Sequence, residues 1–137
     1  MADDLRNSLA VSASGMRAQG VRLRVISENV ANSKSTATNP DKDPYRRRVV
    51  TFQDELDRAR GVRTVEVRRV AEDPSDFQLV FEPNHPAANA DGYVRYPNVN
   101  AMLEAADMRE AQRSYEANLN MMQATRSMIQ STVDLLR

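Results

Sequence analysis

Only a few places in this sequence bring together side chains able to do chemistry. His85 is the sole histidine among 137 residues, so a metal there would rest on one imidazole and on carboxylates such as Glu82 and Asp91. That spacing matches no zinc-ligand pattern, and Asn84-His85-Pro86 reads as a surface loop. Arg46-Arg47-Arg48 could engage phosphates. Strand alternation, however, would split the three between two faces, with Asp41, Asp43, Asp54 and Glu55 close by in sequence. Glycine-rich phosphate loops and nucleophile-elbow patterns are absent. The chain has no cysteine, which excludes disulfides and thiolate metal sites. Carboxylate pairs exist, but nothing in the sequence places them in a cleft. These residues predict no catalysis, no metal and no cofactor.

Charge patterning points the same way. Nineteen basic residues balance nineteen acidic ones, so no global field favours nucleic acid or a membrane surface. Aromatic residues make up 5% of the chain and tryptophan is missing, which argues against a large compact core. No stretch approaches the roughly 20 apolar residues that span a bilayer. The start, Met-Ala-Asp-Asp, lacks the basic and apolar regions of a cleavable signal.

The candidate chemistry therefore gives way to the elements around it. Asn98 to Arg137 contains neither proline nor glycine. Met108, Ala111, Tyr115, Asn118, Met122, Thr125, Ile129, Thr132 and Leu136 alternate spacings of three and four, placing a stripe on one helical face. Leu119 and Val133 widen it, and Met121, Met128 and Leu135 add a flank. At roughly 1.5 Å per residue the helix would run about 60 Å, too long for the short middle of the chain to cover. Leu5, Leu9, Ser12, Met16, Gln19, Leu23, Ile26 and Val30 repeat the pattern near the N-terminus with a period of 3.5, as in a coiled-coil seam. Asp3 and Asp4 suit a helix start. Gly15 and Gly20 each cost about 1 kcal/mol against alanine inside a helix, which suggests close backbone approach by a neighbour, or a tolerated kink. Two matched seams at opposite ends predict an antiparallel helical hairpin whose connection is the whole middle of the chain. A core helix of a small bundle is the plainer alternative.

All six prolines lie between Asn32 and Pro97, with six of the seven aromatics. Ser33 to Asp43 reads as a loop. Tyr45–Phe52, Val62–Val70 and Phe77–Phe81 read as strands, and Gln53–Ala59 as a short helical or irregular link. Pro83–Asp91 is a loop, followed by an extended return at Gly92-Tyr93. The expectation is an α+β chain in three parts: an N-terminal helix over 1–33, a β-rich insertion over 34–97 and a C-terminal helix over 98–137. The assembly surface expected from the seams comprises Leu5, Leu9, Met16, Leu23, Ile26, Val30, Met108, Tyr115, Leu119, Met122, Ile129, Val133 and Leu136.

Ser27-Glu28-Asn29-Val30-Ala31-Asn32 resembles the S-x-N-x-A-N motif that closes the first helix of the bacterial flagellar rod and hook family. Ser27, Asn29, Ala31 and Asn32 match it, and the threonine usual a few residues later is replaced, with Ser35 and Thr36 nearest. Ser114-Tyr115-Glu116-Ala117-Asn118 resembles the family's S-Y-x-A-N through Ser114, Tyr115, Ala117 and Asn118. Gly92-Tyr93-Val94, with Pro97-Asn98-Val99, resembles the G-Y-V-x-x-P-N-V signature of its proximal-rod members. The resemblance covers essentially the whole chain and departs mainly over Val62–Ser75. It implies a structural, non-enzymatic subunit of the proximal rod, exported without a cleavable signal and residing in the periplasmic basal body. The implied partners are further copies of the chain, the rod proteins FlgB and FlgF, the junction protein FliE, and membrane-ring and export-gate proteins. The alternatives are another axial subunit of the same family, or a nucleic-acid-binding helical hairpin using Arg46, Arg47 and Arg48.

Overall fold

A computed structural model describes all residues, 1–137. Helix α1 spans Ala2–Ala31 and helix α2 spans Ala101–Leu135. Between them lie strands β1 (Arg48–Asp57), β2 (Val62–Glu72), β3 (Gln78–Phe81) and β4 (Tyr93–Tyr96), paired as two two-stranded sheets, β1–β2 and β3–β4. This is the expected α+β arrangement of two long terminal helices around a small β insertion. Neither helix is long and apolar enough to cross a membrane.

The ends of the helices follow from local chemistry. Asp3 and Asp4 lie in the first turn of α1, where the helix dipole favours negative charge. At its other end the Asn32 amide donates to the Glu28 carbonyl at 2.8 Å, and the Ser33 hydroxyl to the Val30 carbonyl at 2.8 Å. Both bonds satisfy carbonyls that a helix C-terminus leaves without partners. Helix α2 is capped by Asn100, whose Oδ1 accepts from the Met102 and Leu103 amides at 3.0 and 3.4 Å.

The chain divides into two compact units. The first comprises residues 1–23, 50–69 and 109–137. Here α1 and α2 run antiparallel: Ser8 meets Thr125, Gly15 meets Asn118 and Arg22 meets Glu110. Each step of seven along α1 is matched by a step of seven or eight back along α2, the signature of a heptad seam. Its buried residues are small or polar: Ser12, Ser14, Ala18, Ala111 and Thr125. A Cβ on Gly15 would stand 2.9 Å from the Asn118 amide, so that glycine answers to its facing helix. No atom approaches the Cβ position of Gly20 within 4 Å. On another side of α1, the Ser14 hydroxyl accepts from the Val65 amide of β2 at 3.2 Å. The β1–β2 turn closes with the Gly61 amide on the Asp57 carbonyl at 2.8 Å, Gly61 taking φ +66°. The run expected as a helical or irregular link continues β1 as far as Asp57 and then turns. Pairing with β2 imposes an extended backbone on Asp54 and Glu55, residues of low intrinsic β preference.

The second unit comprises residues 24–49 and 70–108. In β3–β4 the antiparallel register pairs Gln78 with Tyr96, Leu79 with Arg95, Val80 with Val94 and Phe81 with Tyr93. Val94 is fully buried on the inner side, in a unit whose buried apolar residues include Val25, Ile26, Ala87 and Val99. Leu79, Phe81 and Tyr93 share the other face and are exposed. Ahead of β4, Asn89 Oδ1 accepts from the Asp91 and Tyr93 amides, at 3.0 and 2.9 Å. Gly92 turns the chain there with φ +83°, and a Cβ on it would lie 2.8 Å from the Phe81 ring. Gly92→Ala therefore combines backbone strain with a clash. Replacing it should destabilise the purified chain by about 1–3 kcal/mol, read as a lower midpoint in thermal unfolding. Gly20→Ala should raise that midpoint, by about 0.5–1 kcal/mol of helix preference.

Candidate functional site

The motif residues of the second unit converge on a polar lock. Asn29, 1% exposed, sits in the last turns of α1. Its Nδ2 donates to the Arg48 carbonyl at 2.9 Å and to Glu104 Oε2 at 3.1 Å. Its Oδ1 accepts from the Arg48 amide at 2.9 Å and from the Tyr45 hydroxyl at 2.8 Å. All four hydrogen-bonding positions of the amide are filled. Two of them clasp the Arg48 peptide as a neighbouring strand would, which fixes where β1 begins against α1.

Glu104, in the first turn of α2, is 0% exposed. Its Oε1 accepts from Arg47 Nε. Arg47 also reaches Asp73 at 3.2 Å and Asp107 at 3.5 Å, so one guanidinium joins the start of α2 to the turn after β2. Burial pulls the Arg47 pKa down, but the hydrogen bonds and charges of Glu104 and Asp73 outweigh it and raise it overall. Asn98 completes the lock. Its Oδ1 accepts from the Arg47 amide at 2.8 Å, and its Nδ2 donates to the Asp73 and Ser75 carbonyls, both at 3.1 Å. Hydrogen bonds from Ser75, and then the Arg47 charge, hold the Asp73 carboxyl below the usual carboxylate range.

The arginine triplet is thus bound within the protein. Arg46 donates to the Asp73 and Ser75 carbonyls and lies 4.2 Å from the Phe77 ring centre. Arg48 is 3.5 Å from Glu28. His85 bridges two loops, with Nε2 3.2 Å from the Thr36 hydroxyl and Nδ1 accepting from the Ala87 amide at 3.0 Å.

Among the other motif residues, Gly92, Val94, Pro97 and Val99 are buried, Asn32, Ser114, Tyr115 and Asn118 half-buried, and Ser27, Ala31, Tyr93 and Ala117 exposed. Of the seam residues, Ile26 is buried inside its own unit. Leu5, Leu9, Met16, Leu23, Met108, Tyr115, Leu119, Met122 and Ile129 are half-buried, while Val30, Val133 and Leu136 are exposed. Sequence reasoning passed over Glu104 and Asp73, and weighed Arg47 only within a possible phosphate-binding triplet. It also passed over Ser8 and Arg22, which apolar periodicity does not select, whereas Gly15, read as a point of close approach, does face Asn118.

Arg47→Met would leave the Glu104 carboxylate buried without its cation, a loss of about 3–5 kcal/mol in urea unfolding. Arg47→Met with Glu104→Leu should recover much of it, because no charge is then stranded. Asp73, held below its ordinary pKa, contributes stability that is present above the unfolded value near 3.8 and is lost as pH falls through the folded value. Ser75→Ala relaxes that depression, so its acid-unfolding midpoint should move to higher pH.

Residues 90–135 match the family described as flagellar basal body rod FlgEFG protein C-terminal. Over 98% of its length the chain is 47% identical to flagellar basal-body rod protein FlgC of Agrobacterium fabrum, covering 97% of that protein. Against FlgC of Bacillus subtilis it is 38% identical, over 94% of this chain and 96% of the relative. The FlgC of Salmonella typhimurium is 40% identical, over 96% and 97%. Identity of this order, sustained across nearly the whole of each protein, places the chain in the FlgC family of flagellar basal-body rod proteins.

Proposed function

We propose that this chain builds the flagellar rod as a structural subunit, serving as driveshaft and export conduit, and that it self-assembles and co-assembles through its terminal helices. The observation that carries this reading is the apolar surface its helices leave uncovered. Val11, Val30, Met121, Met128, Val133, Leu135 and Leu136 are all exposed, while the seam between α1 and α2 is small and polar. Covering one large apolar side chain contributes roughly 1.5–3 kcal/mol, so a row of them favours lateral packing on neighbouring helices. A shaft made of such helices resists bending because each bend disturbs many close-packed contacts at once.

In this reading residues 1–33 and 98–137 form the inner helical wall and residues 34–97 the outer β-rich part. The half-buried seam residues, from Leu5 to Leu23 and from Met108 to Ile129, widen the surface that neighbours cover. Neighbours are further copies, FlgB, FlgF and the junction protein FliE, with membrane-ring and export-gate proteins at the base. The chain reaches the periplasmic rod by unfolded export.

Val133→Asp and Leu136→Asp place a carboxylate on this surface without entering the fold, since both side chains are exposed. Each should lower recovery of the chain in purified basal bodies at least tenfold and abolish swimming. Wild-type recovery and motility would overturn the assembly surface. Ile26→Asp tests a different thing, because Ile26 is buried and its replacement attacks the fold itself.

A further inference from the structure

Gly20 lies in the interior of α1, where glycine weakens a helix relative to alanine, yet nothing in its own chain approaches its Cβ position within 4 Å. Gly15 has such a neighbour in Asn118; Gly20 has none. The chain itself therefore supplies no packing reason for a glycine at this position. Ala13, Arg17 and Gly20 follow one another at spacings of four and three, on the side of α1 turned away from the line through Ser8, Gly15 and Arg22. Ala13 and Arg17 also line an open cleft of about 1540 Å³ whose far wall is the end of the β1–β2 hairpin. That volume accommodates about two turns of a helix.

The same chain offers a matching ridge. Met128, Ser131 and Leu135 stand on α2 at spacings of three and four, all exposed, Leu135 by 87%. Laid antiparallel, the two rows interdigitate by size: Met128 over Gly20, Ser131 against Arg17, Leu135 over Ala13. Each large side chain meets a small one, which is how two helix surfaces fill each other's gaps.

We infer that the outer face of α1 around Gly20 receives the C-terminal part of α2 from a second copy of this chain, with Met128 seated on Gly20. The contact is head-to-tail, using different surfaces on the two copies, so it extends into an open array instead of closing as a dimer. Antiparallel packing of α2 on a neighbour's α1 is also the geometry that side-by-side hairpins of one orientation require. This inference rests on the reading of the chain as a rod subunit and specifies which faces meet.

Because the chain has no cysteine, engineered pairs report the contact directly. Within one chain the observed register separates Gly20 from Met128 by about fifteen residues along the helices, roughly 22 Å, far beyond disulfide reach. In basal bodies from a strain carrying only the variant gene, Gly20→Cys with Met128→Cys, or Ala13→Cys with Leu135→Cys, should give a disulfide-linked ladder of copies on oxidation. Gly20→Cys with Leu135→Cys, one heptad out of register, should not. Incorporated protein with no in-register ladder, or with the out-of-register pair linking equally, overturns the inference. Gly20→Leu should reduce recovery in basal bodies at least tenfold, and unchanged recovery would equally overturn it. Absence of the wild-type chain from basal bodies would instead overturn the rod reading.

Discussion

A carboxylate that cannot reach water constrains everything around it. Glu104 enters the second unit with no exposed surface, and an unpaired buried charge is among the most destabilising features a small protein can contain. It is tolerated because Asn29 and Arg47 both donate to it, and because Arg47 is held in turn by Asp73 and Asp107. The end of α1, the entry to β1, the turn after β2 and the start of α2 must all be in place for that arrangement to close. No one of the four has a satisfied alternative with the others absent, so the polar cluster specifies a single arrangement at the cost of stability that an apolar cluster would supply.

The first unit shows the same preference for specificity over burial. Between its helices lie serines, alanines, a glycine and a threonine, while Met121, Met128, Leu135 and Leu136 are exposed. An isolated globular domain would reverse that distribution. The small polar seam sets register inside the chain and leaves larger apolar groups uncovered for the proposed assembly surface. Methionine suits that second duty because its flexible thioether side chain adapts to neighbours of different shape.

Much of this was legible in the sequence. The 3.5-residue period marked both helices, and the extended return expected at Gly92-Tyr93 is β4 from Tyr93 onward, while Gly92 itself turns the chain with a positive φ. The strand through Asp54 and Glu55 was hidden because cross-strand pairing, not side-chain preference, extends it. Glu104 was hidden for a deeper reason. Composition cannot say which of nineteen acidic residues is buried; that depends on partners 57 and 75 residues away in the chain. Apolar periodicity likewise favoured Leu5, Leu9 and Leu23, passing over the smaller Ser8, while Gly15 was legible because a glycine inside a helix points to close approach.

Those separations carry a consequence for timing. The bonds that join α1 to α2 span between 75 and 117 residues, so the seam is built from the most distant contacts the chain can make. Loops of that length close late and slowly. A chain emerging N-terminus first can form its β-hairpins before α2, whose start meets the end of α1 through Asn29–Glu104 and Arg22–Glu110. The α1–α2 seam is therefore completed last at its far end, where Ser8 meets Thr125.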